Sequence, residues 1–310
     1  MKNQLVGFLR SPRLCGRQLL FVLLAATAGA QSRTRVVLLG TGTPNADPDR
    51  SGPAVAVVVD STSYLFDAGP GVVRRAAKAV RDDSIRALIQ PRLKLLFITH
   101  LHSDHTLGLA DLMFSPWVLD RTVPLEVYGP PGIWSMVQHL NQAYAEDVEM
   151  RLNGGEPSNK TGYGGKAHET RGGIVYHDSL VTIRAFGVPH GKWPVALGYR
   201  VDTPDRSIVI SGDTRASDEV VKACNGCDVL VHEVISAEGL KKRTPEWQAY
   251  HNAYHTSSYD LGDLATRAKP KLLVLYHQLY PGGVTDDALL AEVKSRYRGP
   301  VVSGRDLGIY

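Results

Sequence analysis

The sequence predicts an α/β protein with one domain over residues 31–310. Short apolar segments typical of β-strands dominate the first part of the chain and alternate with helical patterns after it. No repeat or linker divides these residues, and 43% hydrophobic residues over the whole chain suffice for a large core. A dense run of His and Asp directly follows one apolar strand. The chemistry of the protein is therefore expected at the ends of its strands.

The predicted strands are short apolar runs bounded by Gly, Pro or Asp. They are Val36–Leu39, Ala54–Asp60, Tyr64–Phe66, Leu93–Ile98, Leu125–Tyr128, Leu180–Phe186, Leu197–Val201, Ser207–Ile210, Val229–Val231 and Leu272–Leu275. Helices are expected near Pro131–Tyr144, Ser257–Ala268 and Asp286–Tyr297. Residues 151–173, with seven Gly among interleaved charges, are expected as a long surface loop. That loop either forms the rim of a functional site or is a surface loop with no functional role.

Residues 1–30 have the pattern of a secretory signal peptide. A basic start precedes the apolar run Leu19–Ala28, and Ala28-Gly29-Ala30 forms an A-x-A cleavage motif before Gln31. The apolar run is shorter than the roughly 20 residues that span a membrane, and an uncleaved anchor helix is the alternative. We expect a periplasmic or secreted protein with no stable membrane insertion after cleavage. Its oligomeric state is open, with a homodimer as one option.

The net charge of +4 comes from this N-terminal segment. It contains four basic residues and no acid: Lys2, Arg10, Arg13 and Arg17. Removing these four from the 35 basic residues of the chain leaves 31, which equals the number of acidic residues. Phosphate contacts from basic residues supply much of the affinity for nucleic acids, so we do not expect nucleic acid as a partner.

Two cysteines follow the N-terminal segment, Cys224 and Cys227, in a C-x-x-C arrangement. One such pair is neither a disulfide framework nor a four-ligand zinc site. An oxidising compartment permits a local disulfide across this turn, and two free thiols are the alternative.

The most specific motif is H-x-H-x-D-H, formed by His100, His102, Asp104 and His105 directly after the strand Leu93–Ile98. Chance placement of such a run in a chain of this composition is on the order of one in a thousand. Imidazoles and a carboxylate are ligands that zinc prefers. The alternation lets the first two histidines face one ion while Asp104 and His105 face another.

One loop cannot complete two coordination shells, so further ligands are expected at other strand ends. Three side chains occupy such positions: His190, Asp213 and His277. A lone His at a strand end is more often structural. Three matching positions beside the H-x-H-x-D-H run favour a metal site instead.

With these residues in place, the sequence resembles the metallo-β-lactamase superfamily. The resemblance runs from Gly40-Thr41-Gly42-Thr43-Pro44 through Phe66-Asp67-Ala68-Gly69 to His277. It implies an αββα sandwich with a dinuclear site at the edge of its sheets. It assigns one metal to His100, His102 and His190, the second to Asp104, His105 and His277, and the bridging position to Asp213. Two Zn²⁺ per chain are expected because most ligands are imidazoles, with Mn²⁺ or Fe as alternatives.

Two further segments suggest catalytic residues. Val231-His232-Glu233 and Tyr254-His255-Thr256-Ser257 resemble the HE and HST-type segments of ribonuclease Z and of arylsulfatases with the same fold, although the order here is HTS. The resemblance implies that His255 gives a proton to the leaving oxygen and that Glu233 orients it. Asp67 is expected to orient the histidine loop. The predicted catalytic residues are therefore His255, Glu233, Asp104 and Asp67.

The expected reaction is hydrolysis of a small sulfate or phosphate ester by a hydroxide that bridges the two metals. The alternatives are an acyl hydrolase on the same metals, such as a lactonase or β-lactam-cleaving enzyme, and a non-catalytic metal-binding module. Processing of tRNA is less expected than hydrolysis of a small ester. Ribonuclease Z carries its tRNA-gripping arm between the residues that match His190 and Asp213, and two predicted strands occupy most of that interval here.

Two other features are weaker. Five aromatic residues could form a pocket wall near the metals, although ordinary packing is expected for each alone: Trp193, Trp247, Tyr163, Tyr250 and Tyr254. The run Lys241-Lys242-Arg243 is expected as a solvated face that could also attract an anionic substrate.

Overall fold

Two mixed β-sheets form the framework of the described residues, which are Gly7 and 33–310 of a computed structural model. Apart from Gly7, the predicted signal peptide and its cleavage site lie outside the described residues. Ser32–Tyr310 forms one compact unit. Among the described residues, no helix has the length and apolar character needed to span a membrane.

The strands stand in chain order in both sheets. The first sheet contains β1 Thr34–Gly40, β2 Ala54–Val59, β3 Thr62–Phe66, β4 Leu95–Phe97, β5 Leu125–Gly129 and β6 Gly165–Glu169. The second contains β7 Gly173–His177, β8 Thr182–Val188, β9 Ala196–Asp202, β10 Ser207–Ile210, β11 Val229–Ile235, β12 Leu272–Leu279 and β13 Val301–Ser303. Strands β3 to β6 are parallel neighbours, as are β10 to β13. The first strands of each sheet pair antiparallel.

Alternating side chains along the strands divide the core into three layers. In β1, Val36 and Leu38 face the space between the sheets, whereas Val37 and Leu39 face helices. Both faces of the central strands are buried, which explains their continuous apolar runs. The result is an αββα sandwich, so the predicted fold class is confirmed.

Ten α-helices are described in residues 33–310. They are α1 Val72–Asp83, α2 Ser103–Thr106, α3 Leu109–Val118, α4 Ile133–Ala143, α5 Ala145–Asn153, α6 Asp218–Cys224, α7 Ala237–Leu240, α8 Pro245–Tyr254, α9 Ser258–Ala268 and α10 Asp286–Arg296. Helices α1, α3 and α4 bury apolar side chains against the first sheet. Helices α6, α9 and α10 do the same on the second sheet.

All ten predicted strands and all three predicted helices are present, with boundary shifts of a few residues. The expected loop at residues 151–173 is wrong in part, because it contains β6 and the end of α5. Parallel pairing of Gly165–Glu169 with β5 overrides the loop-like composition of this segment. Cys224 and Cys227, for which the sequence left two alternatives, are joined by a disulfide at the end of α6.

A fully buried guanidinium joins the first sheet to its covering helix. Arg121 is completely inaccessible and donates hydrogen bonds to five backbone carbonyls. These belong to Leu93, Leu112, Met113, Gly162 and Gly164. Burial lowers the pKa of Arg121 to about 10. Because its acceptors lie both in α3 and in the segment before β6, Arg121 fixes that segment against α3.

We expect Arg121→Met to lower the free energy of unfolding by about 3 kcal/mol, because buried carbonyls lose a charged donor. Urea denaturation measures the change. The matched control is Arg74→Met, because the Arg74 side chain is 83% exposed and pairs with Asp111 at the surface. A loss of about 0.5 kcal/mol or less is expected there. Equal losses in the two variants would contradict the structural role of Arg121.

Candidate metal centre

The H-x-H-x-D-H motif lies where β4 turns into a short helix. His100 and His102 occupy the turn, and Asp104 and His105 lie in α2. The change from extended to helical backbone points the two pairs of side chains in different directions. His100, Asp104 and His105 are buried, although they are ionisable or polar. Burial of so many polar groups requires specific partners.

Three imidazoles converge on one point. His100 Nε2 lies 2.9 Å from His102 Nδ1, and His190 Nε2 lies 3.2 Å from the same nitrogen. His190 Nδ1 donates to the Tyr254 carbonyl at 2.8 Å, which leaves Nε2 with its lone pair towards the other two rings. Burial lowers the pKa of His190 to about 4 and holds the pKa of His100 well below its usual value. These imidazoles are therefore neutral at pH 7, as metal ligands must be.

A second group lies beside the first. His277 Nε2 lies 3.1 Å from Asp104 Oδ2, and His105 Nε2 lies 3.5 Å from the same oxygen. Asp213 stands between the groups: its carboxylate is 3.4 Å from His105, 3.5 Å from His277 and 4.0 Å from His100. Burial alone would raise the pKa of Asp213, but His277 and His105 hold it well below its usual value. The carboxylate is therefore charged.

A β-bulge directs His277 into this group. The pairing of β12 with β11 shifts register between Glu233 and Val234, and His277 is the unpaired residue with φ of 41°. The sequence placed the end of this strand at Leu275, but β12 continues to Leu279. The bulge turns one side chain out of the sheet without ending the strand.

Asp67 holds the histidine loop in place. Its Oδ1 accepts the Thr99 backbone N–H at 2.8 Å, and its Oδ2 accepts His105 Nδ1–H at 2.8 Å. The Thr99 hydroxyl lies 2.9 Å from Oδ2 as well. These bonds fix the orientation of the His105 ring, so that Nε2 faces Asp104 and Asp213. Thr99 was not predicted, and its place between strand and motif is the one sequence clue to its role.

His255 and Glu233 lie on a third side of the centre. His255 Nδ1 is 3.4 Å from Glu233 Oε2 and 4.0 Å from Asp213 Oδ2. Glu233 is fully buried, and its Oε1 accepts the Thr256 backbone N–H at 2.7 Å. Burial, together with the nearby Asp213 charge, raises the pKa of Glu233 well above its usual value. Burial lowers the pKa of His255 to about 4. These opposite shifts favour the proton on Glu233 over the proton on His255, so the pair can hold a proton at the edge of the centre.

The donor set fits metal ions. Among the described residues, His105 Nε2 and Asp213 Oδ1 are buried without a hydrogen-bond partner, although they face one another. Such orphaned atoms are rare in proteins unless an ion or water satisfies them. The ligand atoms form compact groups: His100, His102, His190 and Asp213 in one, and Asp104, His105 and His277 in another. The structure thus brings together all seven side chains that the sequence singled out.

Trp193 touches one of these side chains. Its indole N–H donates to His102 Nε2 at 2.8 Å. An indole nitrogen only donates, so this contact uses the lone pair of Nε2. A metal ion on Nδ1 requires Nε2 to carry the proton instead. Metal binding at His102 therefore requires the Trp193 ring to shift.

The centre opens into a cavity of about 590 Å³. Its lining includes Asp213 and His255 on the metal side and Arg243, Trp247 and Tyr250 from the region of α8. Of the other aromatic residues named from the sequence, Tyr254 packs on His190, whereas Tyr163 packs on Trp117 away from the centre. Gly191, with φ of 56°, is required here, because an added Cβ would lie 2.0 Å from the Tyr254 ring.

Two solved structures share the fold. A metallo-β-lactamase fold protein from Bacillus subtilis aligns with a TM-score of 0.68 and 19% identity over 89% of this chain and 99% of that chain. Human tRNase Z, short form, aligns with a TM-score of 0.67 and 22% identity over 89% of this chain and 98% of that chain. At these identities the likeness concerns the fold alone.

Curated relatives are more similar in sequence. A protein named Ribonuclease Z from Mycobacterium bovis (strain BCG / Pasteur 1173P2) is 30% identical over 277 residues, which cover 88% of this chain and 96% of the relative. A second protein of that name, from Mycobacterium sp. (strain KMS), is 33% identical over 250 residues, which cover 79% and 84%.

These relatives correct two expectations from the sequence. The preference for small sulfate or phosphate esters over tRNA processing is wrong, and so is the expectation that nucleic acid is not a partner. Both rested on the balanced charge of residues 31–310 and on the short interval between His190 and Asp213. Net charge averages over the surface and does not describe the potential at one cavity. The short interval between His190 and Asp213 excludes a tRNA-gripping arm at that position and at no other.

We expect Asp67→Asn to weaken metal binding by about 10- to 100-fold, because an amide no longer accepts the His105 proton with full charge. Equilibrium dialysis against zinc, followed by elemental analysis, measures the change. Asp178→Asn is the matched control, since Asp178 binds Tyr64 at 2.7 Å and takes no part in the centre. Unchanged affinity in Asp67→Asn would contradict the role given to this carboxylate.

The family model described as a Beta-lactamase superfamily domain matches residues 62–278. This range is more than half of the chain and contains Asp67, the H-x-H-x-D-H run and His277. The family match, the αββα sandwich and the two facing groups of ligands agree with one another. The chain belongs to the metallo-β-lactamase superfamily.

Proposed function

We propose that this protein is a metal-dependent phosphodiesterase that cleaves RNA in the manner of ribonuclease Z, with the 3′ end of a tRNA precursor as its substrate. The observation that carries the proposal is the pairing of the seven-ligand centre with His255 and Glu233 at one open cavity. The Ribonuclease Z relatives, aligned over 88% of this chain, support the choice of RNA.

We further propose two Zn²⁺ ions per chain. His100, His102 and His190 would hold one ion, Asp104, His105 and His277 would hold the other, and Asp213 would contact both. The mostly imidazole donors favour zinc, although the two carboxylates also suit Mn²⁺ or Fe. Ions held there lower the pKa of bound water and neutralise charge on a phosphoryl group.

The protein side chains supply positioning and a proton. His255 lies between the centre and the cavity and is 8% exposed, so it can reach a leaving oxygen while it is shielded from bulk water. Glu233 lies behind it and is held by the Thr256 and Thr214 backbone N–H groups at 2.7 Å and 3.4 Å. Burial and the nearby Asp213 charge raise the pKa of Glu233, which favours its holding a proton for His255.

RNA must be held without an arm between His190 and Asp213. Strands β9 and β10 occupy half of that interval. The cavity itself therefore has to provide contacts to the nucleotides next to the scissile phosphate. Arg243 lines this cavity and supplies a positive charge close to the centre. A local charge of this kind serves RNA binding even though residues 31–310 carry no net charge.

The test is cleavage of a tRNA precursor with a 3′ trailer by the zinc-loaded protein, followed on a denaturing gel. We expect release of the trailer as one fragment and loss of activity after chelation. His255→Ala is expected to lower the rate about 100-fold or more, as general-acid contributions are typically of that size. His139→Ala on α4 is the matched control and should keep the wild-type rate.

Two results would overturn the proposal. One is a zinc-loaded protein, with two ions per chain by elemental analysis, that leaves both tRNA precursors and other RNA intact. The other is cleavage that persists at full rate after chelation, because the centre would then take no part in it.

The predicted signal peptide bears on where the protein acts. We propose cleavage before Gln31 and a periplasmic or secreted enzyme, on the grounds of the apolar run and the A-x-A motif. Mass spectrometry of the protein isolated from its native cells should find an N-terminus at Gln31. An intact Met1 in the cytoplasmic fraction would contradict this.

A further inference from the structure

Trp247 is a large aromatic side chain left open to the cavity. It lies near the start of α8 and is 47% exposed, whereas Trp117 in the core is 1% exposed. It lines the same cavity as Asp213 and His255. A half-exposed indole beside a catalytic centre is available for a flat ligand ring.

A ladder of rings connects Trp247 to the centre. Trp247 and His251 lie one turn apart on the same face of α8, and His255 directly follows the last residue of this helix. The Trp247 and His251 rings are 5.6 Å apart and nearly parallel, at 25°. His251 and His255 are also 5.6 Å apart. The His251 ring therefore lies between the indole and His255. The indole is placed to contact the part of the substrate next to the scissile bond, and not the bond itself.

Arg243 adds a positive charge to the same place. Its guanidinium carbon lies 5.4 Å from the centre of the Trp247 ring. Within residues 33–310 no carboxylate lies within ion-pair distance of Arg243, whereas the nearby Lys241 pairs with Glu238. The charge of Arg243 is therefore free to meet an anion in the cavity.

Other segments complete the cavity lining. Tyr280, Pro281 and Gly282 line it together with Pro44 and Asn45. The lining combines apolar and charged side chains, so a ligand with a flat ring and an attached anion matches the cavity better than a ligand with either part alone. A nucleotide has this composition.

We propose that Trp247 and Arg243 form a nucleobase shelf: the base next to the scissile phosphate stacks on Trp247, and Arg243 contacts a phosphate of the same strand. The shelf rests on the proposed function, because it holds the RNA that the metal centre cleaves. Every base offers a flat face, so the shelf accepts RNA with little preference for sequence. It also provides binding close to the centre in a chain that has no arm between His190 and Asp213.

The test compares adenosine 5′-monophosphate with ribose 5-phosphate, because both carry a phosphate and only one carries a base. Isothermal titration calorimetry of the zinc-loaded protein measures the two dissociation constants. We expect adenosine 5′-monophosphate to bind at least about tenfold more tightly, as stacking on an aromatic side chain commonly contributes that much. Trp247→Ala should remove this preference, and Trp247→Phe should keep most of it.

Two further variants separate the parts of the shelf. Arg243→Met keeps an apolar stem against the indole, so it should weaken both ligands by the same factor and leave their ratio unchanged. Trp134→Ala is the matched control, since Trp134 is 57% exposed on α4 and does not line the cavity. It should change neither constant.

Equal binding of the two ligands by the wild-type protein would overturn the shelf, as would a preference that survives in Trp247→Ala.

Cleavage of tRNA precursor separates this result from the proposed function. Active RNA cleavage without base preference removes the shelf and keeps the enzyme. Base preference without RNA cleavage keeps the shelf and removes the proposed function. In an active enzyme, Trp247→Ala should raise KM for RNA at least about tenfold and change kcat much less.

Discussion

The buried carboxylate of Asp67 is the interaction on which the centre depends. It lies at the end of β3 and accepts hydrogen bonds from the Thr99 backbone, the Thr99 hydroxyl and His105 Nδ1. The first two position the turn from which His100 and His102 project. The third fixes the ring of His105. One side chain thereby couples the edge of the first sheet to both groups of ligands, and a shift of this turn would misplace all four residues of the motif.

The sandwich brings the remaining ligands to the same edge. Carboxyl ends of parallel strands point in one direction, and both sheets contain a run of four parallel neighbours. Asp213 follows β10, and His277 leaves β12 at a bulge. Helix α8 ends beside the candidate metal centre. There the Tyr254 carbonyl accepts a hydrogen bond from His190 Nδ1. The centre is therefore a product of strand direction and of a few local deviations from regular structure.

Much of this was predictable from the sequence, because apolar runs mark buried strands and the H-x-H-x-D-H spacing is rare. The strands that precede the candidate ligands, and the seven side chains that the structure brings together, were singled out in this way. The bulge at His277 was not, since it arises from the register of β12 against β11 and has no local sequence pattern. Strand β6 was missed for a similar reason: its residues are mostly polar, and only pairing with β5 makes them a strand.

The substrate class was the part that composition misjudged. A balanced charge over residues 31–310 argued against RNA, yet in the proposed function affinity would depend on the few charges and rings close to the scissile phosphate. The run Lys241-Lys242-Arg243 was expected as a solvated face that could attract an anionic substrate. Its last residue, Arg243, lines the cavity together with Trp247. The proposed chemistry requires that ions occupy the space between the histidines.

Anomalous diffraction at the zinc absorption edge, from crystals of the zinc-loaded protein, tests that requirement most directly. We predict two peaks about 3.5 to 4 Å apart, one beside His100, His102 and His190 and the other beside Asp104, His105 and His277, with the Asp213 carboxylate between them. A single peak, or peaks away from these side chains, would contradict the account.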